Sequence, residues 1–141
     1  MSQENVERVR AGYDAFNRGD AAAWLDIFEP DAELRDLPNA PDHRIYRGHD
    51  GLREWAESMM QAFANFRFEP QEVTEVGNFI VVAVRISARG LESGVPTDMQ
   101  VFHVLEQSSN DKVQSISGFL SRAEALEAAG LSEQDARADD T

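Results

Sequence analysis

The sequence contains no cysteine, which removes disulfides, thiol nucleophiles and cysteine-based zinc sites at once and fits a reducing compartment. Long apolar runs are also missing. None approaches the ~20 residues that span a bilayer, and the opening MSQENVERVR lacks the basic-then-apolar order of a secretory leader. Basic charge is scarce: 13 Lys and Arg stand against 26 Asp and Glu, a net charge of −13. A surface of that sign repels phosphate backbones and anionic lipid. The expectation is a cytoplasmic protein with neither nucleic acid nor membrane as partner.

What is present suits one domain with a real core: 141 residues, 42% of them hydrophobic. Val6, Val9, Tyr13 and Phe16 recur at helical spacing from a start near Ser2, and Asn17-Arg18-Gly19 reads as the stop. Asp20 is placed to cap a second helix carrying Trp24, Leu25, Ile27 and Phe28 and closed by Pro30. Ala32 to Asp36 reads as a short strand, and the segment from there to Arg47, with Pro38 and Pro41, as a loop. A third helix from about Asp50 to Phe63 puts Leu52, Trp55, Met59 and Phe63 on one face.

The period then changes to two. Strands are expected over Phe66–Val76, Phe79–Arg89, Met99–Glu106 and Lys112–Leu120, followed by a helix over RAEALEAAGL ending at Gly130. Helices followed by a four-strand meander imply an α+β domain with a curved antiparallel or mixed sheet over the helices. It spans residues 1–131, and residues 132–141 form an acidic tail expected to be disordered.

Four pieces carry a family resemblance: YDAFNRGD closing the first helix, FEPDAELRD after the second, YRGHDGL opening the third, and LSRAEALEAAGL after the last strand. Together they resemble the nuclear transport factor 2-like superfamily, and within it the SnoaL-like branch that includes polyketide cyclases. The resemblance implies a cone of three helices and a bent sheet around one apolar pocket. The superfamily holds isomerases, dehydratases, epoxide hydrolases, cyclases and non-catalytic modules, so function rests on the pocket residues.

Asp36 falls where the resemblance places the general-base aspartate of ketosteroid isomerases. General-base work needs a carboxylate within reach of a substrate C–H or O–H; the plainer reading of an Asp two residues before Pro38 is a turn former. The isomerases also use two oxyanion donors. The tyrosine on their first helix corresponds here to Gly12, with Tyr13 one place on, a turn of about 100° around the helix. Their protonated aspartic acid corresponds to Gln100, a donor that cannot tune acidity. Loss of such donors costs about a hundredfold or more in rate, which argues against a steroid isomerase. Epoxide hydrolysis is disfavoured too, because the inward strand positions offer Gln100, Gln114 and Ile116 in place of carboxylates.

The expected pocket wall comprises Tyr13, Trp24, Phe28, Tyr46, Trp55 and Met59 from the helices and loop, and Val84, Gln100, Phe102 and Ile116 from the strands. Gly118 interrupts the last strand on the same phase, where a missing side chain leaves room. With Gln100 inward, His103 is expected to point outward beside Arg85 and Arg89. His43, between Asp42 and Arg44, reads as solvent-facing. Asp42, His43, His49 and Asp50 have ligand chemistry but no metal-site spacing, so no metal or cofactor is expected.

The resulting expectation is a protein that binds a small, largely apolar organic molecule. If it is an enzyme, it performs cofactor-free isomerisation, cyclisation or dehydration through Asp36 on a carbonyl-containing substrate, with Gln100 and Tyr13 or Tyr46 orienting it. The rival is a non-catalytic binding or dimerisation module of the same fold. A homodimer through the outer sheet face is implied by the resemblance and by Val81, Ala83, Val101 and Leu105, assigned to that face.

Overall fold

The computed structural model describes residues 3–38, 40 and 44–130. Ser2, Asp42, His43 and the acidic tail lie outside the described residues.

Helix α1 (Gln3–Asn17) turns Val9, Gly12, Tyr13 and Phe16 inward, as spacings of three and four residues require. Past its end Gly19 takes φ +77°, a conformation open to glycine at no steric cost. Asp20 then caps α2 (Ala21–Leu25) by accepting the backbone N–H of Ala23. This helix is shorter than expected. It ends before Ile27, and Pro30 lies inside strand β1 (Phe28–Arg35) rather than closing the helix. The proline is tolerated there because β1 loses register with its neighbour between Phe28 and Glu33, so no ladder bond needs its missing N–H.

The segment read as a loop to Arg47 contains a short strand, β2 (Ile45–Arg47), paired antiparallel with the end of β1. Helix α3 (Gly48–Ala62) starts two residues earlier than expected, with Leu52 and Trp55 buried. The rest of the sheet is β3 (Phe63–Val76), β4 (Phe79–Gly90), β5 (Pro96–Gln107) and β6 (Val113–Phe119), and α4 (Arg122–Ala128) closes the described chain. The six strands lie in the order β2-β1-β6-β5-β4-β3. Only β1 and β6 run parallel, giving a curved, unclosed mixed sheet.

Each face of the sheet has its own cluster. Ile80, Val82, Val84, Val101 and Leu105 pack with α1, α2 and α3 in the main core. Val81, Ala83, Phe102 and Val104 face the other way, beneath Ala125, Leu126 and Ala129 of α4. The phase expected for β4 matches this arrangement; that for β5 is reversed. Val101, His103 and Leu105 face the helices, while Gln100, Phe102 and Val104 face outward. Residues 101 to 105 are all buried, because α4 covers the outer face, so polarity along this strand does not reveal which parity is inward. The apolar residues Val81 and Ala83, assigned to a dimer contact, are covered by the chain's own α4.

Candidate functional site

The concave side of the sheet and the helices enclose a cavity of about 750 Å³. Its aromatic wall is continuous. Trp24 lies 6.0 Å from Trp55, and Trp55 is nearly parallel to Phe68 at 6.2 Å and 12°. Phe68 meets both Tyr13 and His103 edge-on, with centroids at 5.9 and 5.3 Å. Phe63, Phe66 and Phe68 all line the cavity; Phe63 and Phe66 are of opposite parity and can do so because strict alternation is interrupted between Ala64 and Arg67. Asn65 at φ 56° makes that interruption, in a left-handed conformation that Asn tolerates better than most residues.

Asn17 holds Phe68 from the other side. Its side-chain amide donates to the Phe68 carbonyl at 2.8 Å and accepts the Phe68 N–H at 2.9 Å. The residue read as a helix stop therefore also acts as a short piece of sheet edge.

Arg35, Arg44, Glu54, Glu57, Ser58, Gln61 and Thr97 also line this space, and two further polar features matter most for its chemistry. Asp36, immediately after β1, lines the cavity with both carboxylate oxygens engaged: Oδ1 accepts the Leu37 N–H at 2.8 Å and Oδ2 the Trp55 indole N–H at 3.0 Å. The second feature includes His103, expected on the outer face but facing the cavity. The Tyr13 hydroxyl lies 2.6 Å from His103 Nδ1, with both residues more than nine-tenths buried. Burial pushes the Tyr13 phenol up and the His103 imidazole down to about 4, so both are neutral at pH 7.

Register fixes how these features lie relative to one another. His103 pairs with Gly118 across β5 and β6, and Asp36 follows Arg35, which pairs with Ser117 across β1 and β6. Asp36 and His103 thus stand two strand spacings apart, about 10 Å along the sheet, with Gly118 between them. The room left by Gly118 is taken up by Leu37: a Cβ there would meet Leu37 Cδ2 at 2.9 Å.

Of the expected wall, Tyr13, Trp24, Tyr46, Trp55, Met59, Ile116 and Gly118 line the cavity together with Asp36. Phe28 and Val84 are fully buried in the core beside it. Gln100 is on the exposed outer face, hydrogen-bonded to Gln71, and Phe102 is under α4. Neither can touch a ligand in the cavity, a correction that follows from the reversed phase of β5. Gln114 also turns away, toward Asp31. Gly12, aligned with the isomerases' tyrosine, lies against Ile27, where a Cβ would come within 2.5 Å of Cδ1. Tyr13, and not Gly12, lines the cavity.

At the rim, Tyr46 is buried beneath the Arg44 guanidinium, which lies 4.4 Å from its ring centroid. Arg44 also pairs with Glu54. Hydrogen bonds to Tyr46 and Glu54 push its pKa further up. His49 is spent on the Phe28 carbonyl at 3.0 Å.

Among known families, the SnoaL-like domain model matches residues 9–116. No curated protein matches the chain. Solved structures share the fold. An NTF2-like protein of unknown function from Burkholderia pseudomallei K96243 is 25% identical, with a TM-score of 0.74 and coverage of 90% of this chain and 97% of that one. A protein of ketosteroid isomerase-like fold from Catenulispora acidiphila DSM 44928, in complex with trimethylamine, is 15% identical, with a TM-score of 0.72 and coverage of 89% and 93%. SalBIII, an epoxide hydrolase/cyclase-like enzyme of pyran ring formation in salinomycin, is 18% identical, with a TM-score of 0.71 and coverage of 85% and 92%.

Proposed function

Since the chain belongs to the SnoaL-like domain family, we infer that its cavity binds a small, largely apolar organic molecule and that Asp36 exchanges a proton with it. The observation that carries this reading is the cavity itself. Its volume of about 750 Å³ lies within the range of small-molecule sites, and an apolar wall with few polar groups is their usual composition. The carboxylate of Asp36 is held at two points, by Leu37 and Trp55, so it meets a bound molecule in a fixed orientation. Its reaction class is cofactor-free proton transfer on a carbonyl compound: isomerisation, aldol-type cyclisation or dehydration. Small-molecule binding and ring-forming chemistry described for proteins of this fold accord with that class.

The test is deuterium exchange at the α-carbon of enolisable ketones such as 1- and 2-tetralone in D2O, followed by NMR. The protein accelerates exchange over buffer, and Asp36→Asn lowers the acceleration about a hundredfold or more. Exchange unaffected by that substitution sinks the catalytic role.

One observation favours the rival reading, a binding module without catalysis. Both Asp36 oxygens already accept a hydrogen bond, as in an aspartate that simply orders a turn. That reading predicts ligand binding with no exchange. Self-association through the outer sheet face would use the polar strip around Arg85, Asp98 and Gln100, where Arg85 and Asp98 pair at 2.7 Å. Light scattering on the eluting protein decides whether the expected homodimer forms.

A further inference from the structure

We propose that His103, held by Tyr13, is a second polar anchor of the cavity, so that the ligand carries a neutral hydrogen-bond acceptor at one end and a hydroxyl or N–H at the other. A phenolic or hydroxylated ketone is the simplest such molecule. The proposal rests on the ligand-binding part of the reading above, not on proton transfer by Asp36 at the ketone's α-carbon, and narrows the ligand's chemistry.

The tautomer follows from the bonding available. Among the described residues, His103 Nδ1 is the only hydrogen-bond partner of the Tyr13 hydroxyl, and that hydroxyl is the only partner of the imidazole. A protonated phenol satisfies its proton by donating to Nδ1, which in a neutral ring places the other proton on Nε2. Nε2–H is thus a donor with no acceptor from the protein. Every fully buried side-chain nitrogen or oxygen among the described residues has a partner, so Nε2 must keep accessible surface, and His103 is a cavity-lining residue. A polar N–H in apolar surroundings gains most from an acceptor that arrives with the ligand.

That acceptor is neutral. Burying an anion costs far more than burying a carbonyl, and the two arginines that line the cavity beside Asp36, Glu54 and Glu57, Arg35 and Arg44, are already paired with Glu33 and Glu54. Asp36 asks for the opposite group, because a carboxylate only accepts, and each oxygen keeps a lone pair beyond those used by Leu37 and Trp55. Between the two anchors lie Gly118 and the Leu37 side chain covering it, with the near-parallel rings of Trp55 and Phe68 alongside. A flat apolar body spanning the two anchors would lie over the Leu37 side chain, with its polar groups at its ends.

The experiment is calorimetry on the full chain with three probes sharing one ring system: 6-hydroxy-1-tetralone, 1-tetralone and 5,6,7,8-tetrahydro-2-naphthol. The hydroxyketone is expected to bind about tenfold more tightly than either single-group probe. In His103→Phe its advantage over the naphthol disappears, while its advantage over 1-tetralone remains. A ketone advantage that persists in His103→Phe overturns the proposal. If that variant does not fold, the 15N resonance of His103 Nε2 in the unaltered protein gives the answer. It is expected to move with 1-tetralone and not with the naphthol; an Nε2 indifferent to the ketone overturns the proposal equally. Equal binding of all three probes refutes the two-anchor arrangement and leaves the cavity reading standing. If none binds, both fail.

Discussion

Tyr13 and His103, 90 positions apart in the chain, meet in a 2.6 Å hydrogen bond on the concave side of the sheet. The bond joins the first helix to the fifth strand, and burial keeps the imidazole neutral among its aromatic neighbours.

This has a consequence for stability against pH. An unperturbed imidazole titrates near 6.5, whereas burial holds His103 near 4. Between those values the unfolded chain takes up a proton that the folded chain refuses, so acid favours unfolding. The stability from a neutral His103 is complete above about pH 6.5 and is lost as pH falls toward 4. Over that window the unaltered protein is expected to lose on the order of 3 kcal/mol relative to His103→Phe, as measured by urea unfolding of both at several pH values. A difference that stays flat across the window contradicts the assignment.

Asn17 offers a separate test. Replacing it by Ala removes both hydrogen bonds to the buried Phe68 backbone, with an expected cost of about 2–4 kcal/mol. Asn17→Asp keeps an acceptor for the Phe68 N–H and loses the donor to its carbonyl, so an intermediate cost is expected. Thermal or urea unfolding of the three proteins orders them; equal stability of Asn17→Ala and the unaltered protein refutes the clamp.

Gly118→Ala tests the packing between the two polar features. Its methyl would stand 2.9 Å from Leu37 Cδ2 and 3.4 Å from the Leu37 backbone nitrogen, so the leucine has to move. A stability loss of about 1–3 kcal/mol is expected, together with a severalfold loss of probe affinity. Adding Leu37→Ala is expected to recover part of both, because residues in contact couple energetically. Independent, additive effects would separate Gly118 from Leu37.

Much of the fold was legible because its determinants are local. The helical stripe of Val9, Tyr13 and Phe16, the Asp20 cap and the alternation of Ile80, Val82 and Val84 each announce their element without reference to the rest of the chain. Tyr13, Trp24 and Trp55 lie on the helices expected for them for the same reason, and Asp36, expected at the end of a strand, lies directly after β1. The phase of β5 is not a local property. Its residues alternate Val101, His103, Leu105 with Phe102 and Val104, and both sets are apolar enough to be buried once α4 packs outside. The match of Gln100 to a family position implies the opposite parity, with His103 facing away from the cavity. A usable signal was present in α4: the stripe Ala125, Leu126 and Ala129 needs an apolar partner, and Phe102 with Val104 supplies it. The early end of α2 and the strand through Pro30 depend on a register slip against β6, between the pairs Phe28–Val113 and Glu33–Ser115, which no local pattern encodes.

The most direct test of the account uses the two tryptophans of the chain, Trp24 and Trp55, which both line the cavity. Their indole N–H resonances can be followed in 15N-labelled protein as 6-hydroxy-1-tetralone is added. The expected result is that both move along saturable curves of one-to-one stoichiometry. Trp55 should move most, because its N–H is bound to the carboxylate that takes the ligand's hydroxyl. Indole signals that stay fixed up to the solubility limit of the probe would contradict the claim that this cavity is a small-molecule site.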